Sequence, residues 1–263
     1  GREIARLPLP LFLRTRMMAS RQTRTFVKND GVDKHTRRHV EKTYLDNIDA
    51  LQAILTDSPW LLGHRPSLAD FGYMGPMFRH FSLDPTPARI MRERAPAVYE
   101  WVARMWNAKA SDFDQGAPLL DFSHAGWDFI LADALGTYLP YLIENCRAWK
   151  AGKKKFDYKT GEATYRDLPV VRYRVWCMEE LQRLHNELTR EDKDRVSATL
   201  EARGNLDSLF SEGQVISGLA QEFILPLQKV DRRPGMIDRI RLTLNGTPWD
   251  MPCKVTGEEY GQV

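Results

Sequence analysis

Residues 60–79 read WLLGHRPSLADFGYMGPMFR, and at the centre of this stretch stands Ser67-Leu68-Ala69-Asp70. A serine followed three residues later by an acid, ahead of an apolar run, is the signature of a capping box. The Ser67 hydroxyl accepts the backbone N–H of Asp70, and the Asp70 carboxylate accepts that of Ser67. Two of the donors that every helix start leaves orphaned are then satisfied together. Pro66 before the cap and Phe71 after the box predict an apolar contact that fixes how the chain enters the helix. Gly75-Pro76 predicts a kink or an early end, because proline lacks a backbone donor and collides with the preceding turn.

Outward from this stretch the pattern stays helical. Upstream, Val40, Tyr44, Ile48, Leu51 and Leu55 recur every three or four residues within 34–55, the period of a helix buried on one face. Asn29-Asp30-Gly31 supplies the turn before it, with Asp33 as its candidate N-cap. Residues 11–28 form a further predicted helix, with Leu11, Phe12, Thr15, Met18 and Gln22 along one side and Arg14, Arg16, Arg21 and Arg24 around it. Downstream, Asp84-Pro85-Thr86-Pro87 reopens the chain. Helices are expected from about Ala88 and again from Pro96, the latter with Val98, Trp101, Val102 and Met105 on one face. Short connections between such helices imply an antiparallel bundle.

The run from Pro59 to Phe71 closely resembles the capping-box segment in the helical C-terminal domain of glutathione transferases. Ala95-Pro96-Ala97-Val98-Tyr99-Glu100-Trp101-Val102-Ala103-Arg104-Met105 resembles the later helix of that family, which opens on a proline and carries a tryptophan. The resemblance covers roughly residues 1–107 and fades beyond. It implies an all-α fold, with a glutathione-transferase C-terminal-like helical domain over 1–110 and a mostly helical extension of unknown role over 111–263.

That extension divides at 111–118, which holds Gly116 and few apolar residues. Trp127, Leu131, Leu135, Tyr138, Leu142 and Trp149 then recur at helical spacing, bent by Pro140 and closed near Gly152. Residues 156–165 alternate aromatics either side of a glycine turn and read as a hairpin, which needs other surface to pack on. Pro169 is expected to open a helix whose apolar face is Val171, Val175, Met178, Leu181, Leu184 and Leu188. Thr189-Arg190-Glu191-Asp192 is a second capping box. Ile240, Leu242 and Leu244 running into Asn245-Gly246 signal a second short hairpin.

Composition narrows the function classes. The 263 residues are 43% hydrophobic and 28% charged with a net charge of +3, so the whole molecule is no polyanion binder. The first 40 residues carry ten Lys/Arg against three acids, but without interleaved aromatics or a nucleic-acid module signature. Nucleic acid is not the expected partner, and most of these arginines read as a solvated face. Cys146, Cys177 and Cys253 are odd in number and far apart, which suits a reducing cytoplasm better than a disulfide framework. No apolar run approaches the ~18 residues of a membrane span.

No nucleophile, phosphate loop or paired carboxylates stand out, so no catalytic residue is assigned, and Ser67 and Asp70 read as structural. His35 and His39 are four apart on a predicted helix, but two rings beside Arg37 and Arg38 do not make a metal site, and none is assigned. The resemblance implies glutathione as cosubstrate, bound mainly by a thioredoxin-like domain that this sequence does not match. The expectation is a chain truncated upstream, or a helical domain working without its usual partner. It also implies a homodimer and a pocket for a small hydrophobic electrophile, with Arg14, Met17, Met18, Arg21, Tyr73 and Met77 as candidate substrate-binding residues by family position. Similar helical domains also serve as non-catalytic assembly modules, and fold alone does not decide between these roles.

Overall fold

The computed structural model of the chain describes residues 10–114, 116–161, 163–204 and 206–219. Cys253 and the hairpin expected at Asn245-Gly246 lie outside them. The first five helices are α1 (Leu11–Arg21), α2 (Arg37–Asp57), α3 (Leu68–Pro76), α4 (Pro85–Arg94) and α5 (Pro96–Asn107). They are followed by α6 (Gly126–Asp133), α7 (Leu139–Lys150), an antiparallel hairpin of β1 (Lys155–Lys159) and β2 (Thr164–Pro169), α8 (Arg172–Glu187) and α9 (Arg190–Leu200). The fold is helical apart from that one hairpin among the described residues.

The Ser67–Asp70 box forms, and Asp70 does more than cap. Fully buried, its carboxylate accepts from the Ser67 N–H (2.9 Å) and hydroxyl (2.7 Å), the Leu61 N–H (3.0 Å) and the Trp101 indole N–H (2.9 Å). One side chain therefore ties the start of α3 to the loop before it and to α5. The expected Phe71 contact is not made. Phe71 is 64% exposed, because Asp70, Tyr73, Met74 and Met77 take the inward face and the Leu61 tie already sets the entry angle. The loop closes as a tight bridge between Trp60 and Gly63, where Gly63 at φ 111° adopts a backbone conformation that a side chain would strain.

α3 ends early, at Pro76, as the proline predicts. The chain continues as a π-helical turn over Met77–Phe81, where the Ser82 N–H reaches the Met77 carbonyl. A similar turn, Ala134–Tyr138, precedes Pro140 and joins α6 to α7. Gly152 at φ 66° closes α7, with its own N–H on the Trp149 carbonyl and the Lys153 N–H on that of Ala148.

The first core gathers Ile48, Leu51 and Ile54 of α2 with Met91 of α4, Val98, Trp101 and Met105 of α5, and Trp127 and Ile130 of α6. Its apolar packing thus runs past residue 110. At Gly126 an added Cβ would stand 2.6 Å from the Ala50 carbonyl oxygen, so α6 lies against α2 at a distance only glycine allows. A second core joins Leu142 and Cys146 of α7 to Val175 and Met178 of α8, and a third lies under the hairpin, on Phe156, Tyr158, Tyr165 and Leu168.

Several boundaries and faces differ from expectation. α4 starts at Pro85, three residues before Ala88, because a proline is preorganised for the first helical position. Pro169 ends β2 rather than opening α8, since strand pairing carries through Lys155 opposite Pro169. His35 precedes α2 and does not share a helix with His39; Asp33 instead accepts the His35 and Thr36 N–H groups in the turn. On α8 the inward face is Val175, Met178 and Gln182, leaving Leu181 39% and Leu184 48% exposed. Gln182 holds that buried place because its amide is fully used: it donates to the Leu209 (2.9 Å) and Gly213 (3.0 Å) carbonyls and accepts from the Val215 N–H (3.0 Å).

Candidate functional site

The six residues expected to line a substrate pocket fall into two groups. Tyr73 and Met77 face inward from α3 and the turn after it. Met77 is 4% exposed in the first core, and the half-buried Tyr73 packs on that core and accepts from the Asn47 amide at 3.3 Å. Desolvation raises the Tyr73 phenol above its ordinary value. Arg14, Met18 and Arg21 are half-buried on α1 and Met17 is exposed, and neither methionine joins any of the three cores. α1 as a whole buries none of its residues, and Leu11 and Phe12 are 71% and 69% exposed. Tyr73 and Met77 therefore share the first core, which none of the four α1 residues joins.

A concave site stands elsewhere, where the hairpin meets α7 and α8. A cavity of about 280 Å³ is walled by Tyr158, Tyr165 and Leu168 of the hairpin and by Tyr138 and Tyr141 on the turn before α7 and in α7 itself. Asp30, Asp133, Thr137 and Arg174 complete it. Asp30 comes within reach because the turn at Gly31 sits directly on β2. A Cβ at Gly31 would stand 2.5 Å from Leu168, and its φ of 74° suits glycine. A smaller cavity of about 130 Å³ shares Asp133 and Thr137 with the first and adds His39, Lys42 and Asp46.

The tyrosines are set by hydrogen bonds and by each other. Tyr158 donates to the Thr137 carbonyl at 2.7 Å, and the Tyr165 hydroxyl meets His39 Nδ1 at 2.8 Å. Their rings stack with centroids 6.0 Å apart, while Tyr141 packs edge-on to Tyr158. Desolvation raises all four phenols of the wall above their ordinary value, so they stay protonated well into alkaline conditions. Arg174 lies over the Tyr141 and Tyr138 rings, 5.4 and 5.9 Å from their centroids. Desolvation by the cavity walls raises the Asp30 carboxyl, against the lowering pull of Arg174.

No cysteine or serine is among the residues that line this cavity. Cys146 is buried on α7 with its thiol pushed up to about 11 by desolvation, which makes it inert at neutral pH. Among the described residues no group of three His, Cys, Asp or Glu is placed to hold a metal ion, and no helix is long and apolar enough to cross a membrane.

Residues 15–108 match the family model described as the glutathione S-transferase C-terminal domain, and the match ends as α5 ends. Over these residues the chain is similar to the helical C-terminal domain of the glutathione transferase superfamily. No match to the chain was found among curated proteins or among solved structures. Of the tyrosine cavity, only Asp30 belongs to the glutathione-transferase-like domain; the rest of its wall comes from residues 133–174. Sequence reasoning finds the hairpin and its aromatics but neither the cavity nor Arg174. The available signal is the hairpin's need for a surface to cover.

Proposed function

We propose that this chain is the electrophile-binding and dimerising helical part of a glutathione transferase-like protein. Joined to a thioredoxin-like domain that binds glutathione and lowers its thiol pKa, it acts on small hydrophobic electrophiles. The observation that carries this reading is the family match over residues 15–108. In this reading Tyr73 and Met77 form one wall of the electrophile pocket, and Arg14, Met17, Met18 and Arg21 on α1 line its other side or a partner subunit. Glutathione is the cosubstrate and the cytoplasm the compartment. Retention of the complete gene product on immobilised glutathione, with elution by free glutathione, is the expected behaviour. A complete product that flows through and binds no hydrophobic electrophile contradicts the reading.

A second reading, a non-catalytic assembly module of the same fold, is favoured by one observation: the exposed apolar residues of α1. It predicts a stable hetero-complex lost on replacing Leu11 and Phe12 with serine, in a protein that neither binds glutathione nor forms thioethers. Glutathione turnover that survives the same double replacement speaks against it.

A further inference from the structure

The cavity between the hairpin, α7 and α8 holds three charged side chains, Arg174, Asp30 and Asp133, none of them in a salt bridge among the described residues, although Arg174 is near enough to Asp30 to pull on its carboxyl. Arg174 makes no ion pair among the described residues, and its one side-chain hydrogen bond there, to the Tyr138 hydroxyl, is long at 3.5 Å. Asp133 and Asp30 line the same space, and neither carboxylate has a hydrogen bond or ion pair among the described residues. Charges beside desolvated aromatic walls are costly unless paired. By contrast, the hydroxyls of Tyr158 and Tyr165 are already committed to Thr137 and His39, so these residues offer a ligand their rings.

We propose that this cavity binds a small zwitterion with a flat apolar body, an aromatic amino acid or a close derivative, its carboxylate on Arg174, its ammonium on Asp133 and its ring against Tyr158 and Tyr165. The charge set selects that class. A simple aryl carboxylate gains Arg174 but meets two carboxylates; a simple arylamine gains Asp133 but meets a guanidinium. A zwitterion satisfies both ends. Arg174 suits a carboxylate because its planar fork donates two parallel bonds, and it sits over the Tyr138 and Tyr141 rings at the cavity wall. Asp133 stands where the two cavities meet and Arg174 lines the larger one, so both charges border the space that Tyr158 and Tyr165 wall. The volume of about 280 Å³ falls just under the range of about 300–1,000 Å³ usual for drug-sized ligands, which fits a single amino acid.

The test is calorimetric titration of the chain with three probes at neutral pH: L-phenylalanine, 3-phenylpropionate, which lacks the ammonium, and phenethylamine, which lacks the carboxylate. Each half-probe gives up one charge-assisted contact and should bind about tenfold or more weaker than phenylalanine. Arg174→Gln should remove the advantage of phenylalanine over phenethylamine, and Asp133→Asn its advantage over phenylpropionate. Arg174→Lys, which keeps the charge and loses the fork, should fall between, and serves if Arg174→Gln does not fold. No binding of phenylalanine at millimolar concentration, phenethylamine binding as tightly as phenylalanine, or folded variants that bind like the parent would overturn the proposal. The assay uses no glutathione, so its outcome is independent of the transferase reading.

Discussion

Asp70 shows how a single polar residue can be both well buried and wholly structural. Its carboxylate collects four donors from three segments, so removing it strands the Leu61 N–H and the Trp101 indole as well as the Ser67 cap. Each buried donor left unpaired costs about 1–3 kcal/mol, so Asp70→Ala should lower unfolding stability by at least about 3 kcal/mol, while Ser67→Ala, which loses the cap alone, should cost about 1 kcal/mol. Urea denaturation of both variants checks this, and equal losses would show that Asp70 acts only as a cap. Cys146 gives a pH test at the same scale. Its thiol is pushed up to about 11 in the fold and has an ordinary value of about 8.5 in the unfolded chain. The buried neutral thiol therefore contributes stability that is complete below about pH 8.5 and lost as pH rises towards 11. Alkylation at pH 8 should modify Cys146 only on unfolding, and rapid labelling of the native protein at that position would contradict its burial.

At the scale of elements, contacts within one segment are legible in the sequence and contacts between segments are not. The Ser67–Asp70 box, the inward face of α5 and the glycine that closes α7 all rest on neighbours a few residues away, and each stands where the sequence places it. The face of α8 differs from expectation because periodicity ranks Leu181 above Gln182. Only the distant carbonyls of Leu209 and Gly213 give a buried amide its partners. The π-helical turns before Ser82 and Leu139 add a further twist that no regular period contains. The cavity is hidden for the same reason, since its wall joins Asp30, Asp133 and Arg174 across the chain. Two elements invite direct tests. Gly126→Ala should weaken the α2–α6 contact and lower the melting temperature, whereas the same change at exposed Gly136, where a Cβ meets nothing, should not. The hairpin tyrosines predict alkaline sensitivity. Their folded phenols titrate above the unfolded value of about 10, so their contribution is complete below that pH and fades as it rises further. Tyrosinate absorbance should lag in the native protein and appear with unfolding, and a titration of every tyrosine near pH 10 in the folded chain would refute this.

Across the whole molecule, a glutathione-transferase-like helical domain continues without a break in its first core into α6, and from there through the π-helical turn into α7, the hairpin and α8. The fold carries two distinct features: Tyr73 and Met77 on the first core within residues 15–108, which we propose as a wall of the electrophile pocket, and a charged aromatic cavity built, Asp30 apart, from residues 133–174. The first is tied to the transferase reading, the second to a separate ligand. The measurement that tests the transferase reading most directly is glutathione-dependent thioether formation by the complete gene product with a chloronitroarene as electrophile. Turnover that saturates with the electrophile, and whose KM rises in Tyr73→Ala and Met18→Ala while the KM for glutathione holds, is the predicted result. No thioether above the uncatalysed rate would contradict it.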